Sequence, residues 1–343
     1  MTDKKVKVAI NGFGRIGRSF LRLAYEQYPD IKIVAINDLG DVNNLAYLLK
    51  YDSAQGVSNL DISLKGDKLV VNRDEIQILQ EKDPQKLPWK ELDIDVAVEA
   101  TGFFVEYAKA KWHLDAGAKK VVISAPAKGD PVEGISSGTV LLGINEEKLQ
   151  TCQISSNASC TTNAGSPIMA ILGETIGIEK ALLNTVHAYT ASQAIVDGPT
   201  KSGKSYRNGR AAAQNIIPSS TGAAIAVTKA LPEYTGKFDG ISLRVPVVSG
   251  SIADITFIAS RDTSVEEVNE ILSKAAKDPR WEGIFTVTNE PIVSADIVGN
   301  TYASIADLDM TRVVDGNLVK VLAWYDNEMG YTNTLIRHVL KIA

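Results

Sequence analysis

Cysteine and histidine are the scarcest reactive residues in this 343-residue chain: there are two cysteines, Cys152 and Cys160, and three histidines, His113, His187 and His338. Two cysteines are too few for a disulfide framework in a chain this size, which points to a reducing compartment. The opening MTDKKVKVAING lacks an apolar run long enough for a signal-peptide core, so a cytoplasmic protein is expected. No stretch approaches the roughly 18–20 apolar residues of a membrane span, and no membrane partner is expected. Excess positive charge is missing too: 36 Lys and Arg stand against 41 Asp and Glu, a net charge of −5, so no nucleic-acid partner is expected. There is no fixed-period repeat and no low-complexity tract, and no metal site is expected.

What is present reads as an ordinary globular chain, 45% hydrophobic and 22% charged, long enough for two domains with separate cores. Residues 6–10 form a short apolar run entering the turn NGFG. Apolar residues at helical spacing follow over 16–28, then a second apolar run over 31–36 that ends at Asn37 and Asp38. Strand, helix and strand within about 30 residues make a βαβ unit with a right-handed crossover. Residues 59–79 read as short antiparallel strands, 96–100 and 121–124 as buried strands, and the stretch around 109–114 as a helix. The first half is therefore α/β, a doubly wound parallel sheet of Rossmann type. Beyond Cys160, longer strands at 181–188, 238–247, 251–260 and 318–324, with helices at 222–231 and 264–277, suggest an α+β domain with a mostly antiparallel sheet. An amphipathic helix is expected over 332–342. The domains expected are 1–159 together with 325–343, and 160–324.

Gly12-Phe13-Gly14-Arg15-Ile16-Gly17 is a GxGxxG placed between a strand and a helix, with Asp38 about 20 residues further on. The first glycine permits the turn, the second lets backbone approach a pyrophosphate, and the third lets helix and strand pack closely. The helix N-terminus offers unpaired N–H groups to phosphate. Asp38 can accept from ribose hydroxyls and would repel a 2′-phosphate, which favours NAD over NADP; otherwise it caps a helix. Residues 198–205 match GxxxxGK[ST], but the flanks lack the strand and helix a P-loop needs, and a basic loop is the better reading.

The segment SSNASCTTN places Cys160 among polar residues just ahead of an apolar stretch, close to a helix N-terminus, which is expected to lower the thiol pKa. A nucleophilic thiolate needs a base. His187 ends an apolar strand, whereas His113 and His338 fall in helices without polar clusters; spacing alone leaves open whether His187 meets Cys160 or is a structural histidine. Cys152 reads as an inert thiol in a strand over 151–154.

NGFGRIGR, SNASCTTN, HAYT, STGAA, LRVPV and WYDNEMGYTN, in this order along the chain, resemble the phosphorylating glyceraldehyde-3-phosphate dehydrogenase family over essentially the full length. The resemblance implies Cys160 as nucleophile and His187 as base. It implies NAD contacts at Arg15, Ile16, Asp38, Ser124 and Asn327 beside Gly12, Gly14 and Gly17, and a C-terminal helix that returns to the cofactor domain. Thr190 and Arg244 match positions for the substrate's phosphate; Ser159, Thr221 and Gly222 match positions for the attacking inorganic phosphate, and Thr161 is counted with the substrate- and phosphate-binding residues. A homotetramer is implied, with the loop 198–210 near a subunit interface.

Some positions depart from the family pattern. Asn208 stands where an arginine of the inorganic-phosphate site is usual, in a loop a few residues longer than usual that carries Lys201, Lys204 and Arg207. Ser192, Ile225 and the pair Ala164-Gly165 also differ, and the sequence gives no functional account of them. Two other readings remain beside the triose enzyme: an erythrose-4-phosphate dehydrogenase that releases the acid to water, and an idle NAD-binding scaffold.

Overall fold

The computed structural model describes residues 5–200 and 205–343. The chain divides into two compact units, residues 1–158 with 332–343, and residues 159–331.

The first unit opens with β1 (Val6–Asn11), α1 (Arg15–Gln27), β2 (Ile31–Asn37), α2 (Val42–Lys50), β3 (Ile62–Lys65), β4 (Lys68–Val71) and β5 (Asp74–Leu79). It continues with β6 (Val96–Glu99), α3 (Tyr107–Asp115), β7 (Lys120–Ile123), β8 (Ser137–Thr139) and β9 (Ile154–Ser156). The nine strands form one sheet in the order β3-β4-β5-β2-β1-β6-β7-β9-β8. Only the β3-β4 and β4-β5 pairs are antiparallel; every other pair is parallel, as a Rossmann sheet requires. Val8, Ile10, Val96, Val98, Val121 and Val122 are fully buried, because a sheet covered on both faces accepts continuous apolar runs instead of alternation. α1 buries Phe20, Leu21 and Leu23 on its core face. It also buries Arg22, whose guanidinium is spent on the carbonyls of Leu49 and Gly56 at 2.9 and 3.1 Å.

The second unit contains α4 (Cys160–Thr175), β10 (Ile178–Ala188), β11 (Ile217–Ser220), α5 (Ala223–Ala230), β12 (Phe238–Val245), β13 (Ser251–Ala259), α6 (Val265–Ala275), β14 (Phe285–Thr288), α7 (Ser294–Ile297), β15 (Ser304–Val314) and β16 (Leu318–Tyr325). Its sheet runs β11-β12-β10-β13-β16-β15-β14. The long central ladders β10-β13 and β13-β16 are antiparallel, while β10-β12 and β14-β15 are parallel. β13 alternates strictly between buried and half-buried residues, the mark of a sheet with one covered face. The α/β and α+β architecture read from the sequence is the one observed.

Several local expectations change. The last helix, α8 (Met329–Ile342), is buried almost throughout, with Leu335, Ile336 and Val339 at zero exposure. It begins earlier than expected because Asp326 Oδ1 accepts from the N–H groups of Glu328 and Met329 at 2.8 and 3.0 Å. Cys152 is buried, but in the turn ahead of β9 and not in a strand. His113 and His338 are fully buried and do have polar partners: Glu99 and Trp89 for the first, Ser155 for the second. No helix among the described residues is long and apolar enough to cross a membrane.

Candidate active site

In the second unit, Cys160, the expected nucleophile, is positioned by a helix start. Ser159 caps α4: it is extended, and its hydroxyl accepts from Thr162 N at 3.1 Å. Cys160 is the first helical residue, where the backbone N–H groups are unpaired and the helix dipole is positive. Ala158, just upstream, is held at φ 54, a conformation unfavourable for a residue with a Cβ.

His187 lies near the end of β10 and points Nε2 at Cys160 Sγ, 3.4 Å away. In the parallel β10-β12 register His187 is paired with Arg244, so the guanidinium lands beside the ring. Arg244 Nη1 is 2.7 Å from His187 Nδ1 and 3.2 Å from Ala188 O. The same Nδ1 is 2.6 Å from Ala188 O. Burial, reinforced by Arg244, holds the His187 pKa down to about 3, so the imidazole is neutral, and in the tautomer with Nδ1–H donating to Ala188 O it is Nε2, facing Cys160, that can accept a proton.

Burial pushes the Cys160 thiol up, and Arg244 and hydrogen bonding at Thr161 offset only part of this. Dehydration and the helix start thus act on the thiol in opposite directions.

Tyr325 was missed from sequence, although it lies inside WYDNEMGYTN. Its hydroxyl joins Thr161 Oγ1 at 2.8 Å and Thr185 Oγ1 at 2.7 Å, and its ring stands edge-on to His187 with centroids 5.9 Å apart. Burial pushes its phenol well above the usual range, so it serves as a neutral brace between α4, β10 and β16.

The other expected residues of this unit fall as follows. Asn327 is buried, and its side-chain oxygen accepts from Ser251 Oγ, which in turn accepts from Ala188 N (2.9 and 3.1 Å). Two hydrogen bonds thus tie Asn327 to the residue after His187. Thr190 follows β10, with its hydroxyl 2.9 Å from Ser192, the position where the sequence departs from the family. Thr221 Oγ1 accepts from Ala223 N at 3.1 Å, and Gly222 caps α5. Arg207 is exposed in a single 3-10 turn, and Asn208 uses its backbone carbonyl to hold Ala194 N at 2.9 Å. Lys201 and Lys204 lie outside the described residues.

In the first unit, Gly12 sits at φ +99 with the 100–101 peptide so close that a Cβ would lie 2.6 Å from Thr101 N. A Cβ on Gly17 would lie 2.3 Å from Gly12 O. Around Gly14, which caps α1, a Cβ would meet nothing within 4 Å. Two glycines are thus required by packing, while the third faces open space beside a helix N-terminus, which fits a phosphate-bearing cofactor. Asp38 does not cap a helix; that role belongs to Asp41. Instead Asp38 clamps the glycine turn, accepting from Phe13 N at 2.7 Å and Gly40 N at 2.8 Å. Each carboxylate oxygen keeps a second lone pair for a hydroxyl. Arg15 is paired with Asp52 at 2.6 Å, half-buried Ile16 follows it in α1, and Ser124 donates to Glu99 O at 2.9 Å.

Family models match both units: residues 6–107 match the NAD-binding domain of glyceraldehyde 3-phosphate dehydrogenase, and residues 159–327 match its C-terminal domain. The chain belongs to the glyceraldehyde-3-phosphate dehydrogenase family. Among its curated relatives are the Clostridium pasteurianum enzyme, 48% identical over 335 residues, and glyceraldehyde-3-phosphate dehydrogenase 2 of Streptomyces avermitilis, 46% identical over 333 residues, each alignment covering 96% of both chains. The Geobacillus stearothermophilus enzyme is 46% identical over 340 residues, 98% of both chains. As a member of this family the protein is an NAD-dependent oxidoreductase acting on an aldehyde group, with its cofactor held by the first unit.

Proposed function

We propose that this protein oxidises D-glyceraldehyde 3-phosphate and conserves the oxidation energy as an acyl phosphate. The observation that carries this reading is the Cys160 Sγ to His187 Nε2 contact of 3.4 Å at the start of α4, with Arg244 behind the imidazole. Cys160 sulfur adds to the aldehyde carbon, and the thiol proton passes by way of His187 to the former carbonyl oxygen, giving a hemithioacetal. Bound NAD supplies the hydride acceptor. As the C–H electrons leave, His187 Nε2 takes the hydroxyl proton and the carbon becomes a thioester. Inorganic phosphate attacks that carbon, the C–S bond breaks, and the sulfur is restored. General-base assistance of this kind contributes about 10²–10⁴-fold.

Arg244 and Thr190 are assigned to the substrate's phosphate, Ser159, Thr221 and Gly222 to the attacking phosphate, and Thr161 to the substrate- and phosphate-binding group generally. The hydroxyls of Ser159, which caps α4, and Thr221, just ahead of the Gly222 cap of α5, support the second assignment. Gly12, Gly14, Arg15, Ile16, Gly17, Asp38, Ser124 and Asn327 are assigned to NAD. Asn208 is too short to replace an arginine, so Arg207 or Lys204 supplies the missing cation.

A homotetramer in the cytoplasm is the matching state. It is supported by apolar side chains left bare on the second unit: Leu182 at 66%, Ile225 at 59% and, in the loop 198–210 and its approach, Tyr206 at 89% and Ile195 at 85% exposure. Ile225, an apolar residue in place of the usual lysine, suits such a covered face.

NADH formation from glyceraldehyde 3-phosphate and NAD, followed with and without inorganic phosphate, tests the reading. Sustained turnover only with phosphate is expected. Equal turnover without it would mean that water resolves the thioester, and would replace the triose substrate with erythrose 4-phosphate as the next to try. The relatives compared above carry the triose-phosphate name, which favours the first result.

A further inference from the structure

Glu99 is a carboxylate at the end of β6 with no exposed side-chain surface, and nothing in the proposed chemistry uses it. Four donors converge on it. Oε1 accepts from Thr101 N at 2.9 Å and from the Thr101 hydroxyl; Oε2 accepts from Asn11 Nδ2 at 2.6 Å and faces His113 Nε2 at 3.1 Å. The His113 tautomer follows from its other side. Trp89 Nε1 can only donate, and it is 3.0 Å from His113 Nδ1, so Nδ1 accepts and Nε2 carries the proton toward Glu99. A buried charge with this many donors is matched, not stranded.

The groups it holds are the strand-end turns of the cofactor pocket. Asn11 precedes Gly12, and Gly12 is pressed onto the 100–101 peptide that the Glu99–Thr101 bonds fix. Asn11 Oδ1 accepts from Asn37 Nδ2 at 2.7 Å, and Asn37 precedes Asp38. The Glu99 carbonyl accepts from both Ser124 N and Ser124 Oγ at 2.9 Å. Through its carboxylate, its main-chain carbonyl and the Asn11 side chain it holds, Glu99 connects the carboxyl ends of β1, β2, β6 and β7, the edge of an open parallel sheet at which ligands bind.

We propose that Glu99, oriented by His113 and Trp89, is a positioning residue for NAD: it sets the spacing of the glycine turn, Asp38 and Ser124. This rests on the NAD site described above; failure of that site would show as a parent protein that does not bind NAD at all.

The test is NAD affinity by calorimetry, with KM and kcat measured alongside. In Glu99→Gln the new amide puts N–H groups against donors, so Kd and KM for NAD are expected to rise about tenfold or more. Meanwhile kcat and alkylation of Cys160 without NAD should stay within about twofold of the parent, a split that general loss of stability does not produce. His113→Gln keeps an acceptor for Trp89 and a donor for Glu99, and should retain near-parental affinity; His113→Phe keeps neither and should lose it. If Glu99→Gln does not fold, the two His113 variants decide. Parental NAD affinity in Glu99→Gln, or equal affinity in both His113 variants, would overturn the proposal.

Discussion

Arg244 Nη1 stands 2.7 Å from His187 Nδ1, a guanidinium against the far side of the imidazole that faces Cys160. The same Nδ1 is also 2.6 Å from the Ala188 carbonyl, and one ring nitrogen cannot donate to the carbonyl and accept from the guanidinium at once. Arg244 thereby ties the tautomer of the base to the position of a cation assigned to the substrate's phosphate. Arg244→Leu is expected to raise the KM for glyceraldehyde 3-phosphate and, because the cation lowers the Cys160 pKa, to slow iodoacetamide alkylation at neutral pH by about tenfold. An alkylation rate equal to the parent's would show that the cation does not act on the thiol.

Cys160→Ser should abolish turnover by about 10³-fold or more, since a hydroxyl at this position lacks the nucleophilicity of the thiol. NAD affinity should be unchanged by calorimetry. Residual oxidation near the parental rate would remove the thioester from the mechanism.

Two buried histidines make the fold acid-sensitive. The pKa values of His187 and His338 are held down to about 3, chiefly by burial, against 6.5 for an ordinary histidine. Below pH 6.5 the unfolded chain binds these protons and the native protein does not, so stability falls with pH from about 6.5 to 3 and is fully present above that window. Each group contributes roughly 1.4 kcal/mol per pH unit inside it. Denaturant midpoints should therefore drop between pH 6.5 and 4.5, and His338→Gln should flatten that slope; an unchanged slope would count against the burial argument.

The glycine turn should separate packing from binding. Gly14→Ala meets nothing within 4 Å, so it should fold with a parental Tm and yet weaken NAD binding, because the added methyl takes cofactor space. Gly17→Ala drives a Cβ to 2.3 Å from Gly12 O and should lower both Tm and NAD affinity. Equal NAD affinity in Gly14→Ala and the parent would place the cofactor elsewhere.

Asn208→Arg should lower the KM for inorganic phosphate and leave the aldehyde KM unchanged. Arg207→Ala should raise the phosphate KM if the exposed Arg207 supplies the cation; no change with Arg207→Ala or Lys204→Ala would leave the loop without a role in phosphate binding.

The parallel sheet was legible because continuous apolar runs at β1, β2, β6 and β7 have no alternative to double coverage. The Cys160 helix start was legible because polar residues around the cysteine give way to an apolar stretch. What escaped were long-range pairings of single polar atoms. Nothing in the residues around His113 announces Glu99 or Trp89, which lie 14 and 24 residues away, and His338 meets Ser155 across 183 residues. β15 is hard to read from sequence because SIADLDMTRVV interrupts its apolar residues with Ser304, Asp307 and Thr311, which the fold nonetheless buries.

α8 gives the first unit a temporal constraint during synthesis. Asn157 donates to Thr334 at 3.1 Å, and Ser155 meets His338 at 2.6 Å, so the end of the parallel sheet is sealed by residues translated long after it. The whole of 159–331 must leave the ribosome first, a delay of roughly ten to forty seconds at ordinary elongation rates. Through that interval the nascent nucleotide-binding unit lacks the α8 side chains that Ser155 and Asn157 bond in the finished fold.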